Sequence, residues 1–78
     1  DRLVVLSDRV LIVDYKTNRP PPTTIEAVPP AYLRQLAMYR LLVQRLYPEK
    51  PVETALLWTI DSRIMAIPAP VLDQYSMF

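Results

Sequence analysis

The chain has 78 residues, nine Lys plus Arg against eight Asp plus Glu, a formal net charge of +1, and 51% hydrophobic residues. That length holds one small domain with a modest core, and the charge balance makes no electrostatic case for or against nucleic acid. With no Cys and no His, the sequence excludes a disulfide framework, thiolate or imidazole metal ligands and histidine acid–base chemistry within the chain, and no apolar run is long enough to span a membrane.

Leu3 to Leu6 read as a strand, Ser7-Asp8 as a tight turn, and Arg9 to Lys16 as a second strand, giving a hairpin. In the absence of glycine the turn relies on Ser and Asp side chains that bond the local backbone. Thr17 to Pro29 is a loop rich in proline and threonine, long enough to read as a functional or mobile segment. Pro30 suits the first position of a helix, where its missing N–H is not needed. The helix runs through AYLRQLAMYRLLVQRLY and stops near Pro48. At 100° per residue, Tyr32, Leu36, Tyr39, Val43 and Leu46 form its apolar stripe, Arg34 and Arg45 lie opposite, and Gln35 falls at the stripe's edge. Met38 and Leu41 fall toward the polar side and hint at a missing partner surface. Val52 to Thr59 is a third strand and Arg63 to Ile67 a fourth, joined around Asp61-Ser62. The tail from Pro70 to Phe78 reads as one short helical turn with Tyr75 and Phe78 as anchors. The order strand, strand, helix, strand, strand implies an α/β or α+β layer, one helix on a small sheet.

Two features suggest a piece of a larger protein: glycine is absent where about 7% is usual, and the chain begins at Asp1, directly before a strand, without an initiator methionine. The absence of cysteine fits a cytosolic protein.

The stretch VLIVDYKTN, residues 10 to 18, carries the chemistry. Val10 to Val13 make a largely buried strand. Side chains alternate, so Asp14 and Lys16 share one face and Tyr15 takes the other. An isolated D-x-K is more often a plain ion pair at a sheet rim. A tight turn at Ser7-Asp8, however, pairs residues whose numbers sum to about 15, which sets Asp1 nearly opposite Asp14 on the face that holds Lys16. Two carboxylates so placed repel unless a cation lies between them, and carboxylate oxygens suit Mg²⁺ or Mn²⁺. A divalent metal beside a lysine is what phosphodiester hydrolysis needs.

The segments D-R-L-V-V-L, L-I-V-D-Y-K-T-N and Y-L-R-Q-L-A-M-Y resemble the nuclease domain of the PD-(D/E)XK superfamily, most closely the C-terminal nucleases of AddA type from bacterial AddAB helicase–nucleases, related to RecB. The resemblance implies an α/β fold, a truncated restriction-endonuclease-like core of hairpin, helix and two further strands on a small mixed sheet. Residues 1–78 would then be a single domain, the C-terminal part of a nuclease domain. It implies metal binding by Asp1, Asp14 and the backbone carbonyl of Tyr15, catalysis by Lys16, and steadying of the site and the DNA strand by Gln35 and Tyr39. The implied cofactor is Mg²⁺ or Mn²⁺, with ATP used only in an absent helicase part. The implied partners are DNA and, for the parent protein, a second AddB-like subunit in the cytoplasm. The family's glycine before the first aspartate, its preceding helix and strand, and an upstream metal-binding histidine are missing here.

Arg19, Arg34 and Arg40 are candidates for DNA phosphate contacts, though each reads more simply as a solvated surface charge. Tyr15 reads most simply as a core residue under the helix, and Trp58 as core. Glu26, Glu49, Glu53, Asp61 and Asp73 show no metal-ligand spacing. Three functions stay open: a metal-dependent DNA exonuclease domain of a helicase–nuclease, a non-catalytic DNA-binding or scaffold domain of the same fold, and an unrelated small α/β interaction module. The short chain with its unpaired sheet edge is expected to form a homodimer or larger assembly and to be inactive alone.

Overall fold

A computed structural model describes residues 2–75. Four strands and one long helix dominate: β1 (Arg2–Val5), β2 (Val10–Lys16), α1 (Pro30–Leu46), β3 (Val52–Trp58) and β4 (Arg63–Ile67), followed by a short α2 (Ala69–Asp73). Along the loop before α1, Ile25–Ala27 make one 3₁₀ turn that sequence patterning did not reveal.

The sheet order is β1-β2-β3-β4. β1 and β2 are antiparallel in the register Arg2↔Val13 to Val5↔Val10, so paired numbers sum to 15 as the Ser7-Asp8 turn requires. The turn closes on a bond from the Leu6 N–H to the Arg9 carbonyl (2.8 Å), and Lys50 Nζ donates to the Leu6 carbonyl at 2.7 Å. β2 and β3 are parallel, which requires a crossover, and α1 supplies it. β3 and β4 are antiparallel around residues 59–62, where Ser62 takes φ 54°, a position that glycine usually fills.

Alternation decides what each face of the sheet holds. Val10, Ile12, Asp14 and Lys16 of β2 stand level with Val52, Thr54, Leu56 and Trp58 of β3. This face lies under α1, and the core gathers here: Ile12, Leu33, Leu36, Ala37, Leu56, Trp58, Ile67 and Leu72. Trp58 is fully buried, as its apolar bulk suggested. Tyr15 is not under the helix. It is 42% exposed on the opposite face, because alternation from a helix-facing Asp14 leaves it no other side.

The buried face of α1 is also turned from the expected stripe. Leu33, Leu36 and Ala37 are its buried residues, Tyr32, Tyr39 and Val43 flank them, and Leu46 is 70% exposed. The cause is α2. Its Leu72 is completely buried in the shared core, and Arg40 on α1 donates to Asp73 at 2.8 Å. The second helix therefore covers one flank of α1, while the last turn of α1 leaves Leu46 in solvent. Leu72, not Tyr75 alone, anchors the tail, with Tyr75 partly buried against the core; Phe78 lies outside the described residues. Met38 is exposed as expected, Leu41 is half-buried, and Leu42 is exposed as well. Among the described residues no helix is long and apolar enough to cross a membrane.

Candidate active site

The helix-facing side of β2 changes character within one step. Val10 and Ile12 are packed apolar residues; Asp14 and Lys16 continue the same line toward the strand's end. Asp14 is 1% exposed, rare for a carboxylate without strong compensation. The ammonium of Lys16 lies 3.2 Å from Asp14 Oδ2. Among the described residues that oxygen nevertheless has no aligned hydrogen-bond donor, so the pair is held by charge at contact distance and the oxygen keeps unused acceptor capacity.

Helix α1 brings the remaining groups. Gln35, in its second turn, accepts from Lys16 Nζ through Oε1 at 3.4 Å, a long bond. One turn earlier, the ring of Tyr32 lies beneath the same ammonium, 4.3 Å from Nζ to the centroid. The Tyr32 hydroxyl donates to Asn18 Oδ1 at 3.0 Å, and its ring meets Trp58 at a centroid distance of 6.4 Å. Lys16 is thus surrounded by a carboxylate, an amide oxygen and an aromatic face, and its side chain stays only 18% exposed.

The sequence had singled out Asp14, Lys16 and Gln35, and the fold brings these three together. Tyr39 lies one turn past Gln35, partly buried, lining an apolar groove with Leu3, Ile12, Leu42 and Val43 rather than touching Lys16. Asp1 lies outside the described residues. The Tyr15 side chain is away from the site. Its carbonyl is a separate matter: the Lys16 carbonyl accepts from Thr59 N–H on the β3 side, and carbonyls alternate in direction along a strand, so that of Tyr15 points to the β1 side. Arg19 and Arg34 are exposed, and nothing among the described residues sets them apart from other surface charges. Arg40 is not a solvated charge, since Asp73 holds it between the helices.

Sequence reasoning missed Tyr32 and Asn18. Tyr32 precedes Gln35 by three residues and so shares its helix face, which was a usable signal. Asn18 follows Lys16 by two residues and reads as a loop residue until the helix is docked above it. Four other acidic residues are engaged elsewhere: Asp8 and Glu53 with Arg9, Asp61 with Arg63, Asp73 with Arg40. Among the described residues there is no group of three or more Asp, Glu, His or Cys that could hold a metal ion. Asp14 fits a hard cation through its buried oxygen, to which no described residue makes an aligned hydrogen bond, as one carboxylate ligand of a set that needs water or further oxygens to complete it.

No curated protein and no solved structure gives a match to this chain. The family model of the PD-(D/E)XK nuclease superfamily matches residues 1–74, spanning the whole of the sheet, α1 and α2. With Asp14 and Lys16 set as D-x-K at the end of a core strand, the chain belongs to the PD-(D/E)XK nuclease superfamily.

Proposed function

We propose that the chain forms the catalytic part of a metal-dependent DNA nuclease, an exonuclease domain of an AddA-type helicase–nuclease that trims double-strand ends in the cytoplasm. One observation carries this reading: a nearly fully buried carboxylate, with an oxygen that no described residue bonds in good alignment, sits against a lysine at a strand's end. A scaffold has no use for that arrangement, because burying a carboxylate costs several kcal/mol that its lysine at best balances.

Asp14, with the main-chain carbonyl of Tyr15 and Asp1, would hold a Mg²⁺ or Mn²⁺ ion, which when bound polarises a phosphoryl oxygen and lowers the pKa of a water ligand. Lys16 presents its ammonium to the phosphate, where it offsets charge gathering on the non-bridging oxygens as water attacks phosphorus and the ester oxygen leaves. Gln35 takes one ammonium proton in a hydrogen bond and so directs the others. Tyr39 and the apolar groove beside it border the path of the DNA strand. The family match supports the nuclease reading; the helicase context rests on the D-Y-K-T-N and Q-x-x-x-Y segments.

The test is cleavage of linear DNA by the full-length protein with Mg²⁺, with Mn²⁺ and with EDTA. Asp14→Ala and Lys16→Ala should abolish cutting and leave ATP-driven unwinding intact. Near wild-type cutting by either variant refutes the assignment, and loss of unwinding refutes a role confined to the nuclease step.

A further inference from the structure

We infer that Tyr32 is a positioning residue for Lys16, held in place by Asn18 and Trp58. The inference rests on the nuclease reading for its consequence but on geometry for its content. An ammonium has three donors and a free four-carbon stem, so a lysine must be confined to act at one point. Asp14 pulls Nζ from one side at 3.2 Å, and Gln35 reaches it from another at 3.4 Å. Neither contact alone fixes the stem: the first lacks hydrogen-bond alignment and the second is long. The Tyr32 face supplies the third boundary at 4.3 Å, well within the roughly 6 Å over which a ring attracts a cation.

The ring is itself confined from two sides. Its hydroxyl donates to Asn18, two residues beyond Lys16 in the chain, so the bond closes a short circuit from Lys16 through the backbone to Asn18, across to Tyr32 and back to Nζ. Its body meets Trp58, which is fully buried and stands level with Lys16 on the neighbouring strand. A shift of Tyr32 would therefore move the ammonium against Asp14. Gln35 and Tyr32 share one face of α1, so the helix delivers both boundaries as a unit. This goes beyond an apolar stripe, for which leucine would serve as well as tyrosine.

Three variants of the full-length protein separate the roles. Tyr32→Phe keeps the ring and loses the bond to Asn18; Tyr32→Leu keeps apolar bulk on Trp58 and loses the aromatic face; Asp14→Ala controls for the chemistry. We expect Tyr32→Leu to lower kcat on linear DNA by about tenfold or more, as small displacements of a reacting group do, with KM nearly unchanged. Tyr32→Phe should restore kcat to within about threefold of wild type, since the ring's face remains. Independently of catalysis, the ε-methylene protons of Lys16 should resonate upfield of ordinary lysines through the ring current of Tyr32. That displacement should persist in Tyr32→Phe and vanish in Tyr32→Leu. Wild-type kcat in Tyr32→Leu, with Asp14→Ala inactive, overturns the positioning role and leaves the nuclease reading standing. Full activity in Asp14→Ala overturns the nuclease reading instead. Should Tyr32→Leu fail to fold, a Lys16 signal at the ordinary position in the wild-type protein overturns the inference on its own.

Discussion

The Asp14–Lys16 pair should be unequal in what its two members contribute to stability. Asp14 is 1% exposed, whereas the Lys16 side chain keeps 18% of its surface in solvent. At 3.2 Å and an effective dielectric near 20, their attraction is about 5 kcal/mol. Burying the carboxylate takes back several kcal/mol, so the pair as a whole is close to neutral. Asp14→Asn removes both the attraction and the penalty, and Lys16 retains Gln35, the Tyr32 face and water; stability should change by no more than about 1–2 kcal/mol, in either direction. Lys16→Met keeps the stem's bulk but strands the carboxylate, and should cost about 3–5 kcal/mol. For a domain of this size each kcal/mol moves the melting midpoint by about 4–8 °C, so the two variants are easily told apart. Thermal and urea unfolding should be followed in EDTA, where no divalent ion can replace the lost ammonium. The double variant Asp14→Asn with Lys16→Met should recover most of the loss. If Asp14→Asn is as damaging as Lys16→Met, or the double variant is no better than Lys16→Met, the account of a costly carboxylate held by its lysine is wrong.

Trp58 is fully buried between sheet and helix, so Trp58→Ala should destabilise by about 3–5 kcal/mol, read as a lowered urea midpoint with unchanged slope; a loss under about 1 kcal/mol would deny it a core role. The sheet face away from α1 carries Val4, Val13, Tyr15, Leu57 and Ile64, with Tyr15 42% and Ile64 66% exposed. With a net charge of only +1 there is little self-repulsion, so isolated copies of this chain should associate through that face and the β1 edge. Sedimentation at several concentrations should show this, and Ile64→Lys should weaken it while leaving the melting midpoint of the monomer unchanged; a concentration-independent monomer refutes it.

Much of the fold was legible because local signals agreed with one another. The hairpin register followed from a two-residue turn, the start of α1 from Pro30, and the division between the last two strands from Asp61-Ser62. What was not legible depended on contacts between elements. The buried stripe of α1 could not be centred without knowing that α2 would cover the flank of Leu33 and Ala37. Tyr15 was misplaced because aromatic bulk suggested burial, although the alternation that put Asp14 and Lys16 together had already put Tyr15 on the other side. At the site, charge type and spacing gave Asp14 and Lys16, since a D-x-K pair can be read from order alone, and the family resemblance of the Q-x-x-x-Y segment gave Gln35. The Asn18–Tyr32 bond spans 14 residues across a proline-rich loop, and no periodicity encodes it.

That loop is less free than its composition suggests. Arg63 donates to the Pro22 carbonyl, Val28 is 3% exposed in the core, and Asn18 is tied to Tyr32. These anchors matter because of the direction in which α1 runs. A helix joining two parallel strands returns antiparallel to them, so its first turns lie over the strands' carboxyl ends. Tyr32 and Gln35 are therefore at the end of the sheet where β2 finishes in Lys16 and β3 in Trp58, whereas Val43 belongs toward the end where the strands begin with Val10 and Val52. The apolar starts of β2 and β3 and the apolar second half of α1 make the packed end of the layer. The polar finish of β2 and the polar edge of the first half of α1 make the other. A loop that fixes the entry to α1 at Val28, Pro29 and Pro30 thereby also fixes the height of Gln35 and Tyr32 above Lys16. Folding and site assembly are one event in this chain, and the proline loop is the segment through which they are joined.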